Sequence, residues 1–212
     1  MENWSEYTRL FIALTVIMDP FMALPILMAD TQGFSRPERA RVVRIAVFTV
    51  TVVLLVTAWS GESVLQWMGT SLGSFRVGGG IVLLLMALAM LQARTDRSRT
   101  SPDEQQDMAS RASIGVVPLA IPLLAGPGAI STVIIAMNRS QAEMHGIMVS
   151  VVIFAVALVL WLVLHLAEPI ARALGDIGLK ILHRLFGLIL AAIAVEVMSN
   201  GLKDLFPVLA GH

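Results

Sequence analysis

The stretch Pro118–Thr132, PLAIPLLAGPGAIST, limits what this chain can fold into more than any other. It lies inside an apolar run yet carries Pro118, Pro122, Gly126, Pro127 and Gly128, so a helix entering it must break. In hydrocarbon an unpaired backbone group is so costly that such a break survives only where protein or a watery cavity covers it. The surroundings do read as hydrocarbon: of 212 residues 57% are hydrophobic and 14% charged, and mean hydropathy is +0.80. The apolar runs are continuous over roughly 17–25 residues, as in membrane helices, whereas barrel strands would alternate over about ten. The expected class is an all-α integral membrane protein, one membrane domain over 1–212, with the lipid bilayer as its first partner. Zero net charge points to no nucleic-acid partner, and the absence of cysteine excludes disulfides and thiolate metal sites. No metal and no other cofactor is expected.

Six transmembrane helices are predicted, about Leu10–Ala29, Val42–Trp59, Val77–Ala93, Ile114–Met137, Gly146–Leu166 and Ile181–Ser199. The first has acids at Glu2 and Glu6, only Arg9 as a base and no small-x-small cleavage site, so it reads as a retained span rather than a signal peptide. Alternating the connections puts Arg36, Arg39, Arg41, Arg44, Arg94, Arg97, Arg99, Arg111, Arg172, Lys180 and Arg184 on one side. The other side receives only Arg9, Arg76, Arg139 and Lys203. By this bias the first side is cytoplasmic, and both termini face the periplasmic side of the inner membrane.

The two halves resemble each other. Asp19-Pro20 in ALTVIMDPFMALPIL matches Gly126-Pro127 in AIPLLAGPGAISTVI, Met68-Gly69 matches Leu174-Gly175, and Arg76-x-x-Gly79 matches Arg184-x-x-Gly187. All three landmarks share one offset of about 107 residues. Repeat one is expected over 8–93 and repeat two over 114–200, joined by a polar cytoplasmic loop, 94–113. Three spans per half is an odd number, so the halves must be inverted. Secondary transporters built this way hold their sites near the midplane, where broken helices meet.

Asp or Gly before Pro reads as an N-cap followed by a proline at the first helical position. Half-helices are therefore expected from Pro20 and from Pro127, each offering free N–H groups and about half a positive charge to a ligand. The expected substrate site comprises Asp19, Pro20, Ala23, Pro25, Pro122, Gly126, Pro127, Gly128, Ala129, Ser131 and Thr132. These are small and mostly uncharged, which suits a small solute. Two roles stay open for Asp19, capping its half-helix or coupling to a proton or cation, since Gly126 holds the matching place without charge. Ser131 could touch substrate or bond its own helix. Glu196 reads as interfacial, His165 and Glu168 as sharing one helix face, and Arg76 and Arg184 as snorkelling. Gly78, Gly79 and Gly80 allow close helix packing, within one chain or in a homo-oligomer. The methionines are scattered and read as packing residues.

MDPFMALPI, FRVGGGIVLLLMAL, VPLAIPLLAGPGAIS and RLFGLILAAIAVEVMSNGL together resemble the MarC family of bacterial integral membrane proteins, over nearly the whole chain. The resemblance implies similarity to SnatA-type carriers of small neutral amino acids such as glycine and alanine, and a grouping with LysE-type exporters. It marks Asp19-Pro20, Pro25, Pro122 and Gly126-Pro127-Gly128 as motif positions. Many relatives have Asn where Asp19 stands, and Asn can cap but cannot carry a proton.

The expected function is thus a secondary transporter or exporter of small neutral amino acids or similar solutes, working either by an ion gradient, with H+ or Na+ as the candidate ions, or by facilitated exchange. A channel-like pore and a structural or stress-related membrane protein are the alternatives. An enzyme is not expected: His165-Leu166-Ala167-Glu168 lacks the second His of H-E-x-x-H, no second intramembrane Asp pairs with Asp19, and no base is evident near Ser131. No nucleotide-binding motif is present.

Overall fold

The computed structural model describes residues 4–31, 33–92, 124–140 and 144–210. The 94–113 loop, Pro118, Pro122 and the first part of the expected Ile114–Met137 span lie outside them. All regular structure among the described residues is helical: α1 (Trp4–Met18), α2 (Ala23–Asp30), α3 (Arg36–Trp67), α4 (Leu72–Leu91), α5 (Pro127–Met137), α6 (His145–His165) and α7 (Ala167–Leu205), then a 3-10 turn, Pro207–Ala210.

Among the described residues, four helices are long and apolar enough to cross a bilayer: α3, α4, α6 and Ile177–Leu205 of α7, with mean hydropathy of 2.0 to 3.1 over their best windows. Their outward faces stay apolar, with Phe48 70% and Leu188 61% exposed. Contiguous apolar surface on this scale requires a lipid cover. The chain is a multi-pass membrane protein in contact with the bilayer.

The expected Leu10–Ala29 span is not one helix. At 1.5 Å per residue α1 is about 22 Å long and α2 about 12 Å, so neither crosses about 30 Å of hydrocarbon alone. The hydropathy of the run is continuous because the turn between them contains only Asp19 as a charged residue. α3, at about 48 Å, projects beyond the hydrocarbon at its ends, which carry Arg36 to Arg44 and Glu62.

Glycines let α4 and α7 approach closely. A Cβ built at Gly80 would stand 3.0 Å from the Ala194 carbonyl oxygen, and one at Gly187 would stand 3.2 Å from the Ala87 carbonyl oxygen. Gly73 faces Asp204 and Leu205, so the two helices run antiparallel. Gly79 lies against Ser131 of α5. Gly79 and Gly80 are thus used within the chain, whereas nothing lies within 4 Å of a Cβ at Gly78. Two glycines end the preceding helical segments in left-handed backbone, Gly69 at φ +68° and Gly175 at φ +59°, a conformation open to glycine at no steric cost. These are the two glycines matched between the halves. The core between helices is aliphatic, with Leu14, Leu24, Leu54, Leu83, Ile153, Leu160 and Leu190 essentially inaccessible.

Ion pairs gather at the two ends of the bundle. At one end Arg39 on α3 binds Glu168 and reaches the Thr31 carbonyl oxygen, and Arg172 stands 3.6 Å from Glu168. At the other, Arg76 pairs with Asp204, and Arg139 stands 3.9 Å from Glu6. Each pair joins residues that the alternation of loops puts on one side. Two expectations change here. Arg76 is held by a carboxylate rather than only snorkelling, and His165 and Glu168 are separated by the helix boundary at Leu166, with His165 stacked on Trp161 at 5.1 Å.

The Arg39 hydrogen bond, then its charge, holds the Glu168 carboxyl below its ordinary value of 4.5. A depressed carboxyl contributes stability that is present above its ordinary range and lost as pH falls through the folded value. Thermal unfolding in detergent should therefore show acid destabilisation below about pH 4.5. Glu168→Gln should flatten that limb by slightly lowering stability at pH 7 and above, where the charged pair contributes, while leaving the acid end of the curve unchanged; the effect is small because the pair is only partly buried. An identical acid limb in the variant would assign the effect elsewhere.

Candidate functional site at the two helix breaks

α1 ends at Met18 because Asp19 turns the backbone left-handed, at φ +36°. This is the only positive φ outside glycine among the described residues, in a region where Asp and Asn are enriched. The Asp19 carbonyl accepts the Met22 N–H at 3.1 Å and closes a turn, with Pro20 in its second position, where a fixed φ fits. Asp19 Oδ1 receives the same N–H at 3.3 Å. The half-helix then begins at Ala23, not at Pro20 as expected, because Pro20 is spent in the turn.

The remaining oxygen has an unexpected partner. Asp19 Oδ2 pairs with Nδ1 of His183 on α7, 164 residues away. Asp19 is 6% exposed, and Phe21 meets Phe186 edge-on at 5.8 Å beside the pair. A buried carboxylate requires such a partner. Asp19 therefore caps its turn with one oxygen and holds an imidazole with the other. His183 was legible in part: with Phe186, Leu190, Ala194 and Val197 it falls on one helical face, and those partners are apolar and buried or half-buried.

The second break follows the sequence expectation at its start. Gly126 is the N-cap in extended backbone, Pro127 is the first helical residue, and no side chain caps the end. Gly126, Gly128, Ala129, Ser131 and Thr132 are buried. Both hydroxyls are turned onto their own helix, Ser131 Oγ donating to the Gly128 carbonyl at 3.0 Å and Thr132 Oγ1 at 2.8 Å. A Cβ at Gly128 would stand 3.4 Å from Ile17 at the end of α1, and closer to Leu83 and Met86 of α4. The two breaks are thus neighbours, as α5 starts beside the last turn of α1. Pro20 and Ala23 are buried with Asp19, whereas Pro25 and Pro127 are exposed on the outer faces of their helices. Pro122 is outside the described residues.

A cavity of about 210 Å³ lies between α1, α5, α6 and α7, with Glu6 and Arg139 in its wall. Of the expected site residues only Thr132 lines it. Its walls also carry Glu6, Tyr7, Arg9, Arg139, His145 and Glu196 among Leu10, Ala13, Ile135, Ile189 and Ile193. Both signs of charge line this space, and Glu196 belongs to it. His145 is 3% exposed, with Nε2 at 2.9 Å from the Ala136 carbonyl and Nδ1 at 3.0 Å from the Tyr7 hydroxyl. A carbonyl only accepts, so Nε2 is the donor, and in that tautomer Nδ1 accepts a hydrogen bond from the Tyr7 hydroxyl. No group of three or more His, Asp or Glu among the described residues could hold a metal ion.

The model of the MarC family of integral membrane proteins matches residues 4–206. The chain belongs to the MarC family. It is 33% identical to the UPF0056 membrane protein YhcE of Escherichia coli over 97% of this chain and 95% of that protein. It is 34% identical to a UPF0056 membrane protein of Buchnera aphidicola, covering 99% and 97%. It is 35% identical to the UPF0056 membrane protein MJ0972 of Methanocaldococcus jannaschii, covering 97% and 90%. MarC proteins are therefore found in archaea as well as bacteria. No solved structure matches this MarC chain.

Proposed function

We propose that this MarC protein is a secondary carrier of small neutral amino acids of glycine or alanine size, or similar small solutes, and not an enzyme. The observation that carries the proposal is the meeting of two helix breaks, beside a cavity whose wall includes Ala13 of α1 and Thr132 of α5, the helices that end and begin at that meeting point. Half-helices α2 and α5 start at that meeting point and run toward opposite ends, which suits a site near the midplane. A volume of about 210 Å³ lies below the range of roughly 300–1,000 Å³ typical of pockets for drug-sized ligands. Walls with carboxylates and guanidinium groups suit a solute carrying both charges.

The six-span inverted repeat is part of this reading. It is supported by the left-handed Gly69 and Gly175 at matched positions. It is also supported by a matching contact: Gly80 and Gly187, within one residue of equivalent positions, each receive the other repeat's helix, Gly80 sitting on Ala194 and Met198 and Gly187 on Ala87 and Leu91. On this reading repeat one is 8–93 and repeat two 114–200, and the loop between them faces the cytoplasm with the arginine-rich end. The cavity then lies toward the outer side of the cytoplasmic membrane, beside both termini. A gradient of H+ or Na+ supplies the work.

Purified protein in liposomes should exchange labelled glycine, alanine and serine by saturable counterflow. Flux that rises linearly with solute and shows no counterflow would identify a pore instead. Protein that is folded by thermal unfolding and moves none of these solutes would leave a structural role as the reading.

A further inference from the structure

We infer that Asp19 and His183 form a proton-loaded latch, which ties the first helix break to the last span and makes the position of that break depend on proton occupancy. Four observations meet there. The carboxylate is buried, its backbone is in a conformation rare outside glycine, one oxygen holds the Met22 N–H, and the other binds the imidazole of a helix from the opposite half. A capping role accounts for the first oxygen only. Capping needs no imidazole, and an Asn would serve it as well.

The contact between Oδ2 and Nδ1 requires a proton on one of the two atoms. With a neutral ring that proton sits on Nδ1, and the pair carries one negative charge. A second proton at Nε2, which has no partner among the described residues, makes the pair neutral overall. In a low-dielectric interior an unneutralised charge is costly, and opposite charges attract far more strongly than in water. Loading the proton therefore tightens the latch. Losing it leaves a buried negative charge, which is relieved when the break moves away from α7 and Asp19 meets water. The proton comes from water and returns to water, and no covalent bond to the solute is made. The other ionisable groups on the surrounding elements are few. α7 carries Lys180 and Arg184 beside His183, α6 has His165 at one end and His145 at the other, and α1 has Glu6 and Arg9 toward its start. α4 has only Arg76, at the far end of the bundle, α5 has none, and Asp30 closes α2.

The coupling of this latch to solute rests on the carrier reading, whereas the latch itself does not. Asp19→Asn and His183→Asn test both, because each can keep one hydrogen bond across the break while removing a titrating group. The chain has no cysteine, so nitroxides can be placed on Met28→Cys and Leu185→Cys alone. The label distance should shorten as pH falls from 8.5 to 5.5 in the parent and stay constant in both variants. In liposomes, a difference of one pH unit should support about tenfold solute accumulation for one proton per solute. Both variants should lose that accumulation, and His183→Asn should do so while keeping equilibrative exchange. A distance that ignores pH in the parent, or shifts alike in both variants, overturns the latch. Accumulation retained by both variants overturns the coupling. If the parent moves no solute, the carrier reading falls, and the label distances still decide the latch.

Discussion

Gly80→Val is expected to cause a large loss of stability. A Cβ at Gly80 meets Met198 Cγ at 2.3 Å and, behind it, backbone, the Ala194 carbonyl at 3.0 Å and the Met198 nitrogen at 3.1 Å, so rotating a side chain cannot fully relieve the clash. Overpacking of a closed interior costs about 1–3 kcal/mol where side chains can adapt, and here a helix must move. Gly187→Val should act alike through Ala87 and Met90. Gly78→Ala, with open space around its Cβ, should stay within about 0.5 kcal/mol of the parent. Thermal unfolding in one detergent gives all three. Similar melting for Gly78→Ala and Gly80→Val would mean that α4 and α7 do not pack through these glycines.

Gly128→Leu is expected to abolish solute exchange, and Gly128→Ala to reduce it only modestly. A Cβ at this position meets the end of Leu83 at 2.8 Å and Met86 Sδ at 3.1 Å, both flexible tips that can withdraw. The larger side chain would also press on Ile17, 3.4 Å from the Cβ, and so wedge the start of α5 away from the end of α1. Counterflow of glycine should fall at least tenfold in the leucine variant, or about 1.4 kcal/mol on the barrier, with its melting temperature reported alongside. Full exchange by folded Gly128→Leu protein would remove the meeting of the breaks from the mechanism.

Much of this fold was legible because its signals are local. Proline at 20 and 127 breaks helices by chain geometry, arginine counts sort loops by side, and the left-handed turns at 69 and 175 fall on glycines matched by spacing alone. The misreadings come from properties that a linear pattern does not carry. Leu10–Ala29 has the hydropathy of one span, yet the Asp19-Pro20 turn divides it into two short helices. His183 looked unremarkable beside Arg184, because its meaning depends on how α7 crosses a break 164 residues away. The charged cavity wall is assembled from α1, α5, α6 and α7, none of which shows it separately. Ser131 could be read either way from sequence, and the Gly128 carbonyl takes its hydroxyl together with that of Thr132.

The charged cavity wall has a consequence for traffic across the membrane. In an inverted repeat the opposite-facing state is reached when the halves exchange conformations. On the carrier reading, the Glu196 carboxylate would then give way to an uncharged equivalent, Leu88 or Ala89. A solute's ammonium group would meet that carboxylate at one doorway and none in its place at the other. Such a carrier would rectify, with unequal apparent affinities on its two faces even where the gradient is zero.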